Sequence, residues 1–349
     1  MRAPSAAIQG ALALVGLIAA YTTWQRAPEV APGDVVVIEG TKASLEKLRH
    51  QDRGRWIELA RKSEGGESLI WIRQGQATML EDHKGGWVLD GGAPPDGGYE
   101  LPDAGVAKVK PGKERELRGN DRAEKLFERF MPLRAARALG VLSPEKEKEL
   151  GLELSQDHLE ITSSGLTRSF LVGTSAAGVG TPYLKDEKDG KVYLLAGSLL
   201  SELDPASQQL IDRRLHAFKP TEFDAVVVKA GPLQKEFVQT GAELSATKLA
   251  PKATPDKPDE FARNWHDKVW TRLLAAEMLG RGELPPSGEP TVALRLDYQA
   301  KGKAKGFLEV ARGKGADLWA RSEQTAGWVL LLGGADEVLA EANKVLTAP

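Results

Sequence analysis

A chain of 349 residues carries 47 lysines and arginines against 49 aspartates and glutamates, a formal net charge of −2, and no cysteine. Neither sign of charge dominates, which argues against a nucleic-acid or polyanion surface. The absence of thiols excludes disulfides and a lipobox with its lipoprotein anchor, and it decides nothing about compartment.

The first element is apolar. From Ala3 to Gln25 no residue is charged, and Leu12, Leu14, Val15, Leu17 and Ile18 form its centre. A helix rises about 1.5 Å per residue, so roughly 20 such residues cross a hydrocarbon core. Trp24 suits the membrane–water interface. Signal peptidase needs small residues three and one before its cut. Leu17 with Ala19, and Ile18 with Ala20, fail at the first of these, and Ala20 with Thr22 is a poor site. Residues 1–26 are therefore expected to be an uncleaved signal anchor, with a cleaved signal as the competing reading. Arg2 and the N-terminal amine oppose Arg26 and Lys42, so charge barely sets the orientation. A long downstream body translocates largely regardless of such charges, which favours an extracytoplasmic, periplasmic body on the inner membrane.

A Pro-rich spacer, residues 27–33, precedes β-rich runs: "VVVIEG", "GRWIELAR", "SLIWIRQ" and "GGWVLDGG". Residues 91–105 hold too much Pro and Gly for regular structure. A helix is expected over 122–139, where Ala123, Leu126, Phe127 and Phe130 recur at helical spacing, with a kink at Pro132 and a stop at Gly140. "PEKEKELG" reads as a solvated, charge-mixed helix. Strands follow at "LEITS", "SFLVG", "PYLKD" and "KVYLLA", then short helices at "GSLLSEL" and "PASQQLIDRRL".

The pattern then begins again. "DAVVVKAG" (224–231) mirrors "DVVVIEG" (34–40), and "LQKEFVQTG" stands where "GRWIELAR" stood. A helix over 261–279 would place Phe261, Trp265, Val269 and Leu273 on one face. Residues 182–203 align with residues 317–339: strand, polar hairpin, apolar strand, small residues, short amphipathic helix. The expected fold class is α+β: a tandem duplication of a mainly antiparallel sheet-plus-helix unit, 34–214 and 224–346, preceded by one N-terminal transmembrane helix.

Chemistry is sparse. Histidines stand at 50, 83, 158, 216 and 266, no two of them three or four apart, and HExxH is absent. "GTSAAGVGTP" (173–182) lacks the lysine of a phosphate loop, and "ITSSGL" lacks the frame of a nucleophile elbow. Neither catalytic residues, a metal site nor a cofactor is expected.

One set of motifs carries a resemblance. Gly151 and Leu152, Gly173 and Tyr183, "KVYLLA", and the run Leu210, Asp212, Arg213, Leu215 and Phe218 occupy the places of a recurring pattern. Over about 35–230 the chain resembles the family called domain of unknown function 4340. It departs from that family in lacking proline after Gly-Leu and in placing Ile211 where a polar residue is common. The resemblance implies an envelope protein that works with a membrane complex, an ABC transporter permease and its auxiliary subunits, in an accessory and non-enzymatic role. Alternatives are an envelope ligand-binding module for a glycan or lipid and, third, an unrecognised enzyme. Asp212 and Arg213 are expected to form a local ion pair at a helix end.

Overall fold

The structure is a computed structural model that describes residues 34–348, apart from 53, 65, 77–78, 82–86, 90–108, 111–113, 176–180, 205–207, 242 and 244–245. The anchor residues Leu12, Leu14, Val15, Leu17, Ile18 and Trp24, the spacer and the loop 91–105 lie outside the described residues.

The chain begins with β1 (Val35–Ile38), β2 (Leu45–Asp52), β3 (Arg55–Glu64) and β4 (Glu67–Gln76). Three short strands, β5 (Met79–Glu81), β6 (Trp87–Leu89) and β7 (Val109–Lys110), form a small sheet of their own. Then come β8 (Glu114–Arg118), α1 (Asp121–Glu128), β9 (Leu133–Val141) and α2 (Pro144–Glu149). Two hairpins, β10 (His158–Ser163) with β11 (Leu166–Ser175) and β12 (Pro182–Asp186) with β13 (Lys191–Leu195), complete the first large sheet. The remainder is β14 (Ala225–Ala230), β15 (Leu233–Thr240), β16 (Lys248–Pro251), α3 (Glu260–Arg272), β17 (Ala275–Met278), β18 (Thr291–Ala300), β19 (Lys303–Arg312), β20 (Leu318–Ser322), β21 (Val329–Leu331) and α4 (Ala335–Thr347).

These strands build a ten-stranded sheet, β1-β9-β13-β12-β11-β10-β2-β3-β4-β8, and an eight-stranded sheet, β16-β15-β14-β18-β19-β20-β21-β17. The expected α+β class is overturned. The body is mostly antiparallel sheet, with a few short helices lying against it. No helix among the described residues is long and apolar enough to cross a membrane.

Two helix expectations fail for one physical reason. The helix begun at Asn120 ends at Glu128, and Leu133–Val141 is a strand between β1 and β13. Pro132 cannot supply a helical backbone donor, and beyond it the buried Leu133 and Ala135 alternate as a strand requires. Likewise α3 stops at Arg272, and Ala275–Met278 pairs with β21. Sheet pairing outcompetes a helical period that the sequence carries only to its first turns. Trp265, Val269 and Leu273 are buried as expected, but Phe261 is 42% exposed.

The eight strands of the second sheet repeat an order found inside the first: β4-β3-β2-β10-β11-β12-β13-β9 matches β16-β15-β14-β18-β19-β20-β21-β17. Both central hairpins turn through two residues at positive φ, Ser164-Gly165 and Lys301-Gly302. That geometry twists a hairpin in the sense that antiparallel strands prefer. The counterpart of β14 is β2, so the likeness of 224–231 to 34–40 is misplaced: β1 pairs at the far edge of the first sheet.

Alternation explains the cores. Leu294, Leu296 and Tyr298 of β18, and Leu159 and Ile161 of β10, point inward and are buried. The first core also takes in Met278 and Val329, from strands of the second sheet.

Candidate functional site

The run Leu210–Phe218 joins the two sheets, and it is not helical. Its backbone is consumed elsewhere. Asp212 N–H donates to the Arg118 carbonyl at 2.8 Å, Asn120 N–H donates to the Leu210 carbonyl at 2.9 Å, and Gly119 bridges Ile211. Asn120 caps α1 by accepting from the Arg122 and Ala123 amides, while its Nδ2 donates to the Gln209 and Ile211 carbonyls. A helix there would have to give up these bonds.

Asp212 is buried at the centre of the run. Its carboxylate accepts from Arg214 Nη2 at 2.7 Å, from the Arg214 amide at 3.0 Å and from Gln324 Nε2 at 2.5 Å. Burial pushes this carboxyl up, but the Arg214 hydrogen bonds and charge, with Gln324, outweigh it and hold it below the usual carboxylate range. The expected partner, Arg213, instead reaches Gln208.

Beside it, Glu323 grips the same run. Its Oε1 accepts from the Ala217 amide at 3.1 Å and lies 3.2 Å from His216 Nδ1, and its Oε2 accepts from the Phe307 amide at 2.9 Å. Burial raises this carboxyl, and the bonds to His216 and the two amides bring it below its ordinary value. His216 packs at 4.4 Å against Trp270 and at 5.1 Å against Tyr298, ring centre to ring centre.

Below lies His266, whose Nε2 is 3.2 Å from Tyr298 Oη and accepts from Trp270 Nε1 at 3.3 Å. Indole nitrogen only donates, so this imidazole is neutral with its proton on Nδ1. Burial, aided by His216, pushes its pKa down to about 3, and burial raises the Tyr298 hydroxyl. Such groups keep their neutral forms at neutral pH and have no path to a substrate. Their work is packing.

One open groove lies at this junction and a second lies elsewhere along the first sheet. The first, of about 840 Å³, is lined by Asn120, Asp121, Arg122, Asp212, Arg213 and Arg214, among others. The other, of about 730 Å³, is lined by His50, Asp52, Asp157, Asp204, Leu154 and Thr174, among others. His158 lies on β10, half-buried, and His83 lies outside the described residues. Among the described residues no three His, Asp or Glu side chains are placed to hold a metal ion.

Gly151, Leu152 and Gly173 come together at the second groove. Thr174 N–H donates to the Leu150 carbonyl at 2.9 Å, and a Cβ on Gly173 would lie 2.6 Å from that same oxygen. These motif residues are a close backbone crossing. Residues 120–279 match the family model described as Domain of unknown function (DUF4340). The match supports the resemblance, and it runs from the cap of α1 through the junction to the end of β17. No curated protein and no solved structure matches the chain.

The contacts that close the junction, Asp212 with Gln324 and His216 with Glu323, join residues 112 and 107 positions apart. No local signal announces them. Only the apolar and charged residues of the run Leu210–Phe218 marked one half of the pair in advance.

Proposed function

We propose that the protein is a non-enzymatic docking protein, tethered to the membrane by its uncharged N-terminal segment, which assists an ABC-type export or envelope complex from the extracytoplasmic side. One observation carries the reading. The polar groups gathered at the junction are engaged with one another, Asp212 with Arg214 and Gln324 and Glu323 with His216, even though Asp212 borders the first groove. A body stiffened in this way presents fixed surfaces to a partner. Tethering raises its effective concentration beside membrane proteins, so modest docking affinity suffices.

Complementation of a null strain tests it. The full chain should rescue and co-purify with permease subunits after cross-linking. A body lacking residues 1–26, exported behind a cleavable signal, should not rescue at native expression. Full rescue by that body would remove the tether from the account.

A second reading, a ligand module for an acidic glycan or lipid headgroup, draws on Arg122 and Arg213 along the first groove, where Arg214 is already paired with Asp212. It predicts that replacing Arg122 and Arg213 abolishes rescue while permease co-purification persists.

A further inference from the structure

The outer side of β1 and its neighbours carries a patch assembled by strand register. Val36 pairs with Arg134 of β9, Arg137 of β9 with Leu194 of β13, and Leu194 with Tyr183 of β12. Alternation sends Val37, Leu133, Ala135, Leu184 and Leu195 into the first core, so the residues beside them in sequence stand on the opposite face. Arg134 and Arg137 lie three apart, yet both reach that face. A bulge at Ala136 separates Ala135, opposite Leu195, from Arg137, opposite Leu194. Val36 is 41% exposed and Arg137 is exposed, while Arg134, Tyr183 and Leu194 are half-buried.

Charge sets this patch apart from the sheet centres, where outward arginines are matched by carboxylates. Arg49 and Arg73 meet Glu58, and Arg295 and Arg321 meet Glu309. Arg134 and Arg137 form no ion pair with any described residue, Asp34 and Glu39 at the two ends of β1 included. Guanidinium groups without a carboxylate, beside aliphatic side chains and a tyrosine, suit the headgroup layer of a bilayer. Anionic lipid attracts the cations there, and the amphipathic phenol ring is favoured at that depth.

The place of β1 in the chain points the same way. It is the first strand after the uncharged segment and an edge strand of its sheet. Only the seven residues 27–33 and Asp34 come between, and seven residues span at most about 25 Å. A chain tethered by that segment therefore holds β1 close to the lipid.

We propose that the outer face of β1 and β9 rests on the bilayer, with Arg134 and Arg137 on the phosphates of anionic phospholipids and Val36 and Tyr183 at headgroup level. The proposal rests on the tethered reading given above and names the surface of the body that faces the membrane.

The chain has no cysteine, so single labels can be placed at will. Full-length Val36→Cys carries a polarity-sensitive fluorophore, and Asn343→Cys, exposed on α4, serves as the comparison. Both go into phosphatidylcholine nanodiscs, with or without phosphatidylglycerol, that contain headgroup spin-labelled lipid. With phosphatidylglycerol present, the Val36 label should be quenched and the Asn343 label spared. Each cation near an anionic surface favours contact about five-fold, so Arg134→Gln with Arg137→Gln should lower the docked-to-undocked ratio about thirty-fold. Added salt should act in the same direction. Equal quenching of the two labels, or of the Val36 label in the two lipids, would overturn the patch. The lipid comparison needs no charge variant, so it decides even if that variant misfolds. A chain that stays in the nanodisc at high salt with its Val36 label unquenched sinks the patch and leaves the tether standing. A chain that high salt strips from the nanodisc sinks the tether. Low-salt co-sedimentation with phosphatidylglycerol vesicles, lost in the double variant, then upholds the patch alone, and failure to co-sediment sinks both.

Discussion

Gln324 reaches from the turn after β20 to Asp212 on the inter-sheet run, donating its Nε2 to Oδ2 at 2.5 Å, with the two residues 3% and 4% exposed. Asp212→Ala removes an acceptor shared by Arg214 and Gln324, and leaves a buried amide donor without a partner. Hydrogen bonds to a charged group are worth about 1.5–3 kcal/mol each, and the lost set falls near the upper end. Denaturant unfolding should show a loss of about 3 kcal/mol for Asp212→Ala and a smaller loss for Asp212→Asn, which keeps one acceptor oxygen. Equal, negligible losses would mean that Asp212 is solvated in solution.

A pH dependence arises from His266. Its folded pKa is lowered to about 3, against about 6.5 when unfolded. A depressed histidine pKa means that the unfolded chain binds the extra proton. The contribution of this group is therefore full above about pH 6.5 and declines as pH falls toward 3. The slope is about 1.4 kcal/mol per pH unit while only the unfolded imidazole is protonated. Relative to wild type, His266→Phe should flatten the fall in stability between about pH 6 and 4, whatever it costs at neutral pH through the lost Tyr298 and Trp270 bonds. Parallel curves for the two proteins would show that His266 is not buried neutral.

Gly151 and Gly173 make a steric prediction. On Gly173 a Cβ would stand 2.6 Å from the Leu150 carbonyl oxygen and 2.9 Å from Leu152 Cδ2; on Gly151, at φ +68°, it would meet Thr174 Cγ2 at 2.7 Å. Backbone oxygen cannot swing aside, so Gly173→Ala must separate the turn after α2 from β11, at about 1–3 kcal/mol. Gly190, also at positive φ but in open space, carries only the conformational penalty of about 1 kcal/mol. A Gly190→Ala variant that unfolds as readily as Gly173→Ala would contradict the crossing.

Legibility in the sequence tracked the range of the physical signal. Hairpins were readable because alternation and turn residues are local: 182–203 and 317–339 aligned, and they fall on β12–β13 and β20–β21, at equivalent places in the two sheets. Helix lengths were not. The spacing of Leu126, Phe127 and Phe130 is helical, yet the conformation beyond Pro132 is decided by β1 and β13, whose pairing is written far away in the chain. Asp212 stood out in the sequence, but its partner did not. Arg214 is two residues along and Gln324 more than a hundred, and neither obeys a helix period.

The seam between β8 and the segment after β17 sets the last prediction. Arg115 Nε lies 2.7 Å from Glu283 Oε2, and its Nη1 lies 3.3 Å from Glu277 Oε1. Alongside it, Arg281 N–H donates to the Glu116 carbonyl at 2.9 Å, and its guanidinium sits 4.1 Å from the Trp71 ring centre. These contacts cover the edge strand of the first sheet, and Met278 and Val329 continue its core into the second. The two sheets should therefore unfold together, in one calorimetric transition. Removing the polar seam by Arg115→Ala with Arg281→Ala takes the Arg115 guanidinium away from Glu277 and Glu283 and exposes the Trp71 face. If the seam couples the sheets, that variant splits the endotherm into two, with each sheet melting on its own. If the shared apolar contacts alone suffice, the variant melts in one transition at a lower temperature, and the arginines add stability without coupling.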